Sequence, residues 1–211
     1  MQRPASSDPA EISEDLWEGW AGQLAFDVGA NCGQSLPLLL GRFTRVVAFE
    51  PAAESWEVLA RDWSQVPGAD LAAVAISDEP GEVVLYETPG NLAQGQLISP
   101  GHHAFTREVD VPAPRRVLAM TLDQAAEQYG VPDFCKIDTE GHEERILKSG
   151  PGVLAACGGF LIEFHSPQMH DGCEQLLEAA GLEVTTVRHP HYAPDNPDFF
   201  NHGWLRASRP G

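Results

Sequence analysis

The stretch Leu24-Ala25-Phe26-Asp27-Val28-Gly29-Ala30-Asn31-Cys32-Gly33 constrains this chain more than any other. A short apolar run closes on an acid, then breaks into two glycines spaced around an asparagine, and residues 34–42 can continue as a helix. That is the pattern of a strand, a tight turn and a helix start, the first βα unit of an open α/β sheet. Glycines at such a corner let the backbone turn sharply and let a ligand approach main-chain N–H groups. A helix start adds unpaired donors that suit a carboxylate or phosphate. The spacing is not G-x-G-x-x-G, so the turn alone does not mark a dinucleotide site.

With 211 residues, 43% of them hydrophobic, the chain is long enough for one sizeable core. The expected organisation is an N-terminal arm and short helix over 1–22 and a single domain over 23–211. Within it, 88–119 reads as a loop and strand insertion on the substrate side. A net charge of −18 argues against nucleic acid and against acidic lipid surfaces as partners. Cys32, Cys135, Cys157 and Cys173 are scattered without a C-x-x-C pair or a signal peptide. They read as free thiols in a reducing cytoplasm. No apolar stretch approaches the length of a membrane span.

The pattern predicts a short helix over 13–20 capped by Ser13, then a second strand over 46–51 stopped by Pro51 and a helix over 53–65. A third buried strand is expected over 71–76 and an extra strand over 83–86. A Gly/Pro/His-rich loop over 88–106 reads as a substrate-side lid. Strands over 108–111 and 116–120 lead to Thr121 as the cap of a helix over 122–129. The fourth main strand is expected over 134–138, a helix over 142–149, and the fifth strand over 160–164, ending at His165. A helix over 168–180, a sixth strand over 184–188 and an antiparallel seventh over 199–205 complete the chain. Apolar strands separated by helical patterns imply a parallel sheet covered on both faces.

Asp27, Glu50, Asp78 and Asp138 each fall at or just past the carboxyl end of a proposed parallel strand. In an open α/β sheet those ends converge on the ligand crevice. Gathered acids repel one another unless the site hosts cations, hydroxyls or N–H donors. S-adenosylmethionine offers all three. An acid at the second strand's end also takes ribose hydroxyls in dinucleotide folds, so a nicotinamide dehydrogenase stays open on this residue alone.

Several ordered motifs extend this pattern: Asp27-Val28-Gly29-Ala30-Asn31, Phe49-Glu50-Pro51, Ile76-Ser77-Asp78 with Gly81, Thr121-Leu122-Asp123, Lys136-Ile137-Asp138-Thr139-Glu140-Gly141-His142-Glu143 and Ile162-Glu163-Phe164-His165. Over about residues 24–166 this series resembles the FkbM-type methyltransferases. The resemblance implies an α/β, class I methyltransferase (Rossmann-like) fold. Its sheet would be mostly parallel and seven-stranded, with helices on both faces and an antiparallel last strand. It implies S-adenosylmethionine-dependent methylation of a hydroxyl on a sugar, polyketide or other natural-product intermediate. Asp27, Gly29, Asn31, Gly33 and Ser35 would hold the methionine end, with Ala30 in the same turn. Glu50 would take the ribose hydroxyls beside Pro51, and Ser77 and Asp78 would border the adenine, although Asp78 equally suits a solvated turn acid.

Asp138, Glu140 and His165 are the reaction-side candidates. His165 is the expected base by its ordinary pKa, with Glu140 second. Lys136, one of two lysines, needs a partner in a buried strand, and Glu140 or Glu163 would serve. Asp138, Glu163 and His165 would also supply ligands for a divalent ion if the fifth strand stays regular through Phe164. The resemblance does not demand a metal, and none is assigned. A metal-assisted or N-directed methyltransferase and a non-catalytic cofactor-binding protein remain the alternatives.

Overall fold

Leu24 to Val28 are all buried in β1 (Gly22–Val28), because the strand has parallel neighbours on both edges and helices over both faces. The computed structural model describes residues 14–87, 95–97, 113–188 and 202–211. After β1 come α1 (Leu36–Leu40), β2 (Phe43–Phe49), α2 (Ala53–Trp63), β3 (Ala69–Ala72), β4 (Ala75–Ile76), β5 (Gly81–Glu87) and β6 (Gly95–Leu97). Then follow β7 (Ala113–Met120), α3 (Leu122–Tyr129), β8 (Phe134–Ile137), α4 (Glu143–Lys148) and α5 (Pro151–Ala156). β9 (Gly159–Phe164), α6 (Pro167–Ala179), β10 (Glu183–Arg188) and β11 (Gly203–Ser208) end the series.

The main sheet has seven strands in the order β10-β11-β9-β8-β1-β2-β3. β11 runs antiparallel to both of its neighbours, and the other pairings are parallel. Side chains alternate across the sheet into two cores. Phe26 and Val28 pack with Leu122, Ile146, Val153 and Leu177 of α3 to α6. Ala25 packs with Leu36 and Leu39 of α1, Leu59 of α2 and Trp17. Helices therefore cover both faces, as the continuous apolar strands require.

Four expectations are corrected. The run over 71–76 is not one strand: Val74 N donates to Ala72 O at 2.9 Å, and this tight turn, with Ala73 exposed, sends β4 into a second sheet. That sheet, ordered β4-β7-β5-β6, buries Leu85, Val117 and Ala119 against Ala52 and Ala75. The N-terminal segment forms a short 3-10 turn, Glu14–Trp17, rather than a helix through Trp20. It packs beside the sheet, with Trp17 and Trp20 against Phe134. The first crossover helix is only five residues long. The last strand begins at Gly203, later than expected, and α5 was not anticipated at all. Ser13, the strand over 108–111 and most of the proposed lid lie outside the described residues.

The cap at Thr121 forms as expected. Its hydroxyl accepts from Gln124 N at 3.1 Å, and the Gln124 side chain accepts from Thr121 N at 3.1 Å. This reciprocal capping box satisfies two helix-start donors. Thr121→Ala is expected to cost about 1 kcal/mol, measured by urea unfolding as a lower midpoint at unchanged slope. Among the described residues no helix is long and apolar enough to cross a membrane.

Candidate active site

The strand order reverses between β1 and β8, and a crevice opens outside the carboxyl ends of β1, β2 and β8. Its volume is about 620 Å³ counted to the open mouth. Of the anticipated residues, Gly29, Asn31, Glu50, Pro51, Asp138 and Glu140 line it. Phe49, Ser55, Val74, Leu85 and Thr139 line it too and were not anticipated as site residues. Ala30, Gly33, Ser35, Ser77, Asp78, Asp27 and His165 are not on this wall.

The turn after β1 is tied inward. Gly29 N and Ala30 N both donate to Phe49 O at 3.1 Å, Gly33 N donates to Ala30 O at 2.8 Å, and Asn31 N donates to Glu50 Oε2 at 2.8 Å. These four amides, expected to meet a ligand carboxylate, are thus committed to protein acceptors. Gly29 has φ +76, and a Cβ there would sit 1.8 Å from Asp138 O. Glycine is what lets the β1 and β8 ends approach this closely.

Asp27 is fully buried and does not line the crevice. It accepts from Ser35 Oγ at 2.5 Å and pairs with Lys136 Nζ at 3.2 Å. The ammonium also reaches Asp138 Oδ2 at 3.4 Å and donates to Gly29 O at 3.1 Å. Its partners are therefore Asp27 and Asp138, not the expected Glu140 or Glu163. Burial disfavours the ammonium, but Asp27 and Asp138 outweigh that and hold Lys136 well above its ordinary pKa. Lys136 is a strut behind the wall.

Glu50, 6% exposed, accepts from Asn31 N and, through Oε1, from Ala52 N at 2.7 Å. Burial pushes its carboxyl up to about 7 despite these donors. Ser77 and Asp78 form a latch instead of a wall. Ser77 Oγ hydrogen-bonds His142 Nε2 at 3.1 Å and donates to Asp78 Oδ1 at 3.0 Å, while Arg145 donates to Asp78 Oδ2 at 3.1 Å. They pin the start of α4 to the segment after β4.

At the other end of the crevice, Asp138 and Glu140 meet His165. Its Nε2 lies 3.5 Å from Glu140 Oε2 and 4.0 Å from Asp138 Oδ1, and its Nδ1 lies 3.3 Å from Glu143 Oε1. Burial works against the imidazolium, yet Glu143, Glu140 and Glu163 outweigh it and raise His165 to about 10. At neutral pH the ring holds its proton, so it is not the free base its ordinary value implies. Burial pushes Glu140 up to about 7. Among the described residues only Asn31 (φ +50) and Glu140 (φ +55) carry a side chain at positive φ. Both line the crevice, where strain of this kind concentrates in functional sites. Glu143, fully buried on α4, was missed as part of this group. Its Oε1 accepts from Thr139 N at 2.9 Å and Gly141 N at 3.1 Å, which folds the β8–α4 loop around it.

Comparison with known proteins agrees with this architecture. The family model described as the Methyltransferase FkbM domain matches residues 27–184. The hexuronic acid methyltransferase AglP of Haloferax volcanii is 24% identical over 184 residues, covering 86% of this chain and 68% of AglP. The FkbM methyltransferase structure from Methylobacillus flagellatus superposes with a TM-score of 0.60 at 16% identity, over 88% of this chain but only 43% of that one. SMU.1697c of Streptococcus mutans, solved with SAH, gives a TM-score of 0.57 at 10% identity, over 98% of this chain and all of its own. These structural likenesses show a shared class I methyltransferase fold.

Proposed function

Because the chain belongs to the FkbM methyltransferase family, we propose that it methylates a hydroxyl of a small polyhydroxylated metabolite of the sugar type, using S-adenosylmethionine. The observation that carries this reading is the two-ended crevice. One end is apolar, with Phe49, Val74, Ile76 and Leu85 beside the Glu50 carboxylate; the other holds Asp138 and Glu140. An adenine suits the apolar end, a ribose diol donates to Glu50, and a sulfonium is favoured by the carboxylates opposite. When bound, the cofactor supplies an electrophilic methyl group.

The chain's own work is alignment and proton removal. Holding acceptor oxygen and methyl carbon in line replaces a bimolecular encounter with an oriented one. An alcohol must also lose its proton as it attacks. Glu140 is the wall carboxylate placed to take it. Asp138 is bound by Lys136 and acts as a fixed charge. Sugar acceptors are supported by the named substrate class of AglP.

The test is an incubation of the protein with S-adenosylmethionine and a panel of monosaccharides, uronic acids, polyketide alcohols and amines, read by mass spectrometry and NMR of the product. An O-methyl ether on a sugar-type acceptor, formed with stoichiometric S-adenosylhomocysteine, is expected. Methylation confined to amines, or cofactor binding with no turnover across the panel, would overturn the reading.

A further inference from the structure

We propose that Asp138, Glu163 and His165 form a binding site for one divalent cation of the manganese class, placed to hold the oxygens of the acceptor. The binding claim stands on geometry alone, while the acceptor's part in it rests on the function proposed above.

The three residues come from adjacent strand ends. Asp138 follows β8, and Glu163 and His165 alternate at the end of β9, which stays regular through Phe164, so both point to one face. One ligand atom from each lies within 4.8 Å of the others. Around an octahedral ion, donors at about 2 Å from the metal sit roughly 3 to 4 Å from one another, so small side-chain rotations close the site. Two carboxylate oxygens and one imidazole nitrogen suit Mn²⁺ better than Ca²⁺, which takes oxygen alone.

A separate observation concerns the imidazole. Glu143 is fully buried, and its Oε1 faces His165 Nδ1 at 3.3 Å, which leaves Nε2 turned towards Asp138. A carboxylate on the far nitrogen is how ligating histidines are oriented and made more basic. Glu143 Oε1 is itself fixed by Thr139 and Gly141, so the ring's orientation is built into the β8–α4 loop. Glu143 Oε2 has no hydrogen-bond partner among the described residues.

Charge points the same way. Asp138, Glu140, Glu143 and Glu163 crowd around His165, with Lys136 the other cation in reach. An ion taking Nε2 displaces the ring's proton, so Lys136 is then the cation left among these four carboxyl groups, a deficit that a divalent ion would balance. The site is also open: Asp138 lines the crevice and its side chain is 25% exposed, so an ion there keeps positions for acceptor hydroxyls.

The experiment strips the full chain with chelator and titrates it with MnCl₂, following free Mn²⁺ by electron paramagnetic resonance and heat by calorimetry. One ion per chain is expected. Glu163→Gln and His165→Ala should each weaken it by about 10-fold or more, as loss of even an outer partner does at such sites. Asp171→Asn serves as control, because His170, Asp171 and Glu174 form a second, more exposed group on α6; it should leave the affinity unchanged. Thermal melts confirm that each variant is folded, and either ligand variant alone decides the matter if the other fails to fold. Absence of binding at millimolar Mn²⁺, or binding lost only in Asp171→Asn, overturns the site. Binding with no turnover on any acceptor would overturn the proposed reaction and leave the site standing, while turnover at full rate in chelator would overturn the ion's part in holding the acceptor and leave the reaction standing.

Discussion

Glu50→Gln is expected to weaken S-adenosylhomocysteine binding about 10- to 100-fold and to flatten its pH dependence near neutrality. Hydrogen bonds to a charged group contribute about 1.5–3 kcal/mol, and each 1.4 kcal/mol is about tenfold in affinity. An amide also presents N–H groups where one carboxylate oxygen now accepts from Asn31 N or Ala52 N. The turn and the start of α2 would then meet donor against donor. The pH dependence follows from burial, which raises Glu50 from its ordinary 4.5 to about 7. The fold therefore binds this proton more tightly than the unfolded chain does, and stability from this group is lost as pH rises from 4.5 through 7. Ribose hydroxyls donate to the ionised form. Affinity should accordingly fall as pH drops below about 7, by up to about tenfold per pH unit, and level off above it. Calorimetric titrations across that range check both effects. Unchanged affinity in the variant would remove Glu50 from the ribose.

The main sheet was legible because its strands announce themselves. Leu24 to Phe26 and Phe160 to Ile162 are apolar without alternation, as strands buried on both faces must be, and each run ends close to a polar residue that topology carries to one edge. That is why Glu50, Asp138 and Glu140 were found together. The second sheet was hidden because residues 71–76 are uniformly apolar; the turn at Ala73 has no glycine or proline to mark it. Leu85 reaches the crevice only through that sheet, by pairings distant in sequence, and no local pattern signals it. α5 carried a readable sign, Pro151 at its first turn, but it follows α4 after only two intervening residues and merges with it in the hydrophobic pattern.

Two side chains have surroundings that the sequence did not signal, for one shared reason. Asp27 sits at a strand end, which suggested a ligand, yet its side chain alternates onto the face of Ala25 and α1, where register sets it beside Lys136. His165 was judged by its ordinary pKa, but Glu143 arrives from α4 and reverses that judgement. In both cases residue type and strand position were read correctly and the neighbour across a tertiary contact was not.

Lys136→Met is expected to cost about 3–5 kcal/mol, because it leaves a buried carboxylate without its counter-charge. For a domain of this size that lowers the unfolding midpoint on the order of 10 °C. The side chains of Lys136 and Asp27 are 4% and 0% exposed, so solvent screens neither. Without the ammonium, Asp27 keeps only the Ser35 hydroxyl as a side-chain partner and Gly29 O loses its donor. Asp138 would lose the contact that holds it against the crevice wall, so turnover should fall even where the variant remains folded. The double variant Lys136→Met with Asp27→Asn removes the orphaned charge and should recover more than half of the lost stability, but not the positioning of Asp138. Denaturant unfolding of the three proteins measures the first effect, and their turnover measures the second. A loss below about 1 kcal/mol in the single variant would mean that the Lys136–Asp27 pair contributes little and that the two strand ends are joined by hydrogen bonds alone.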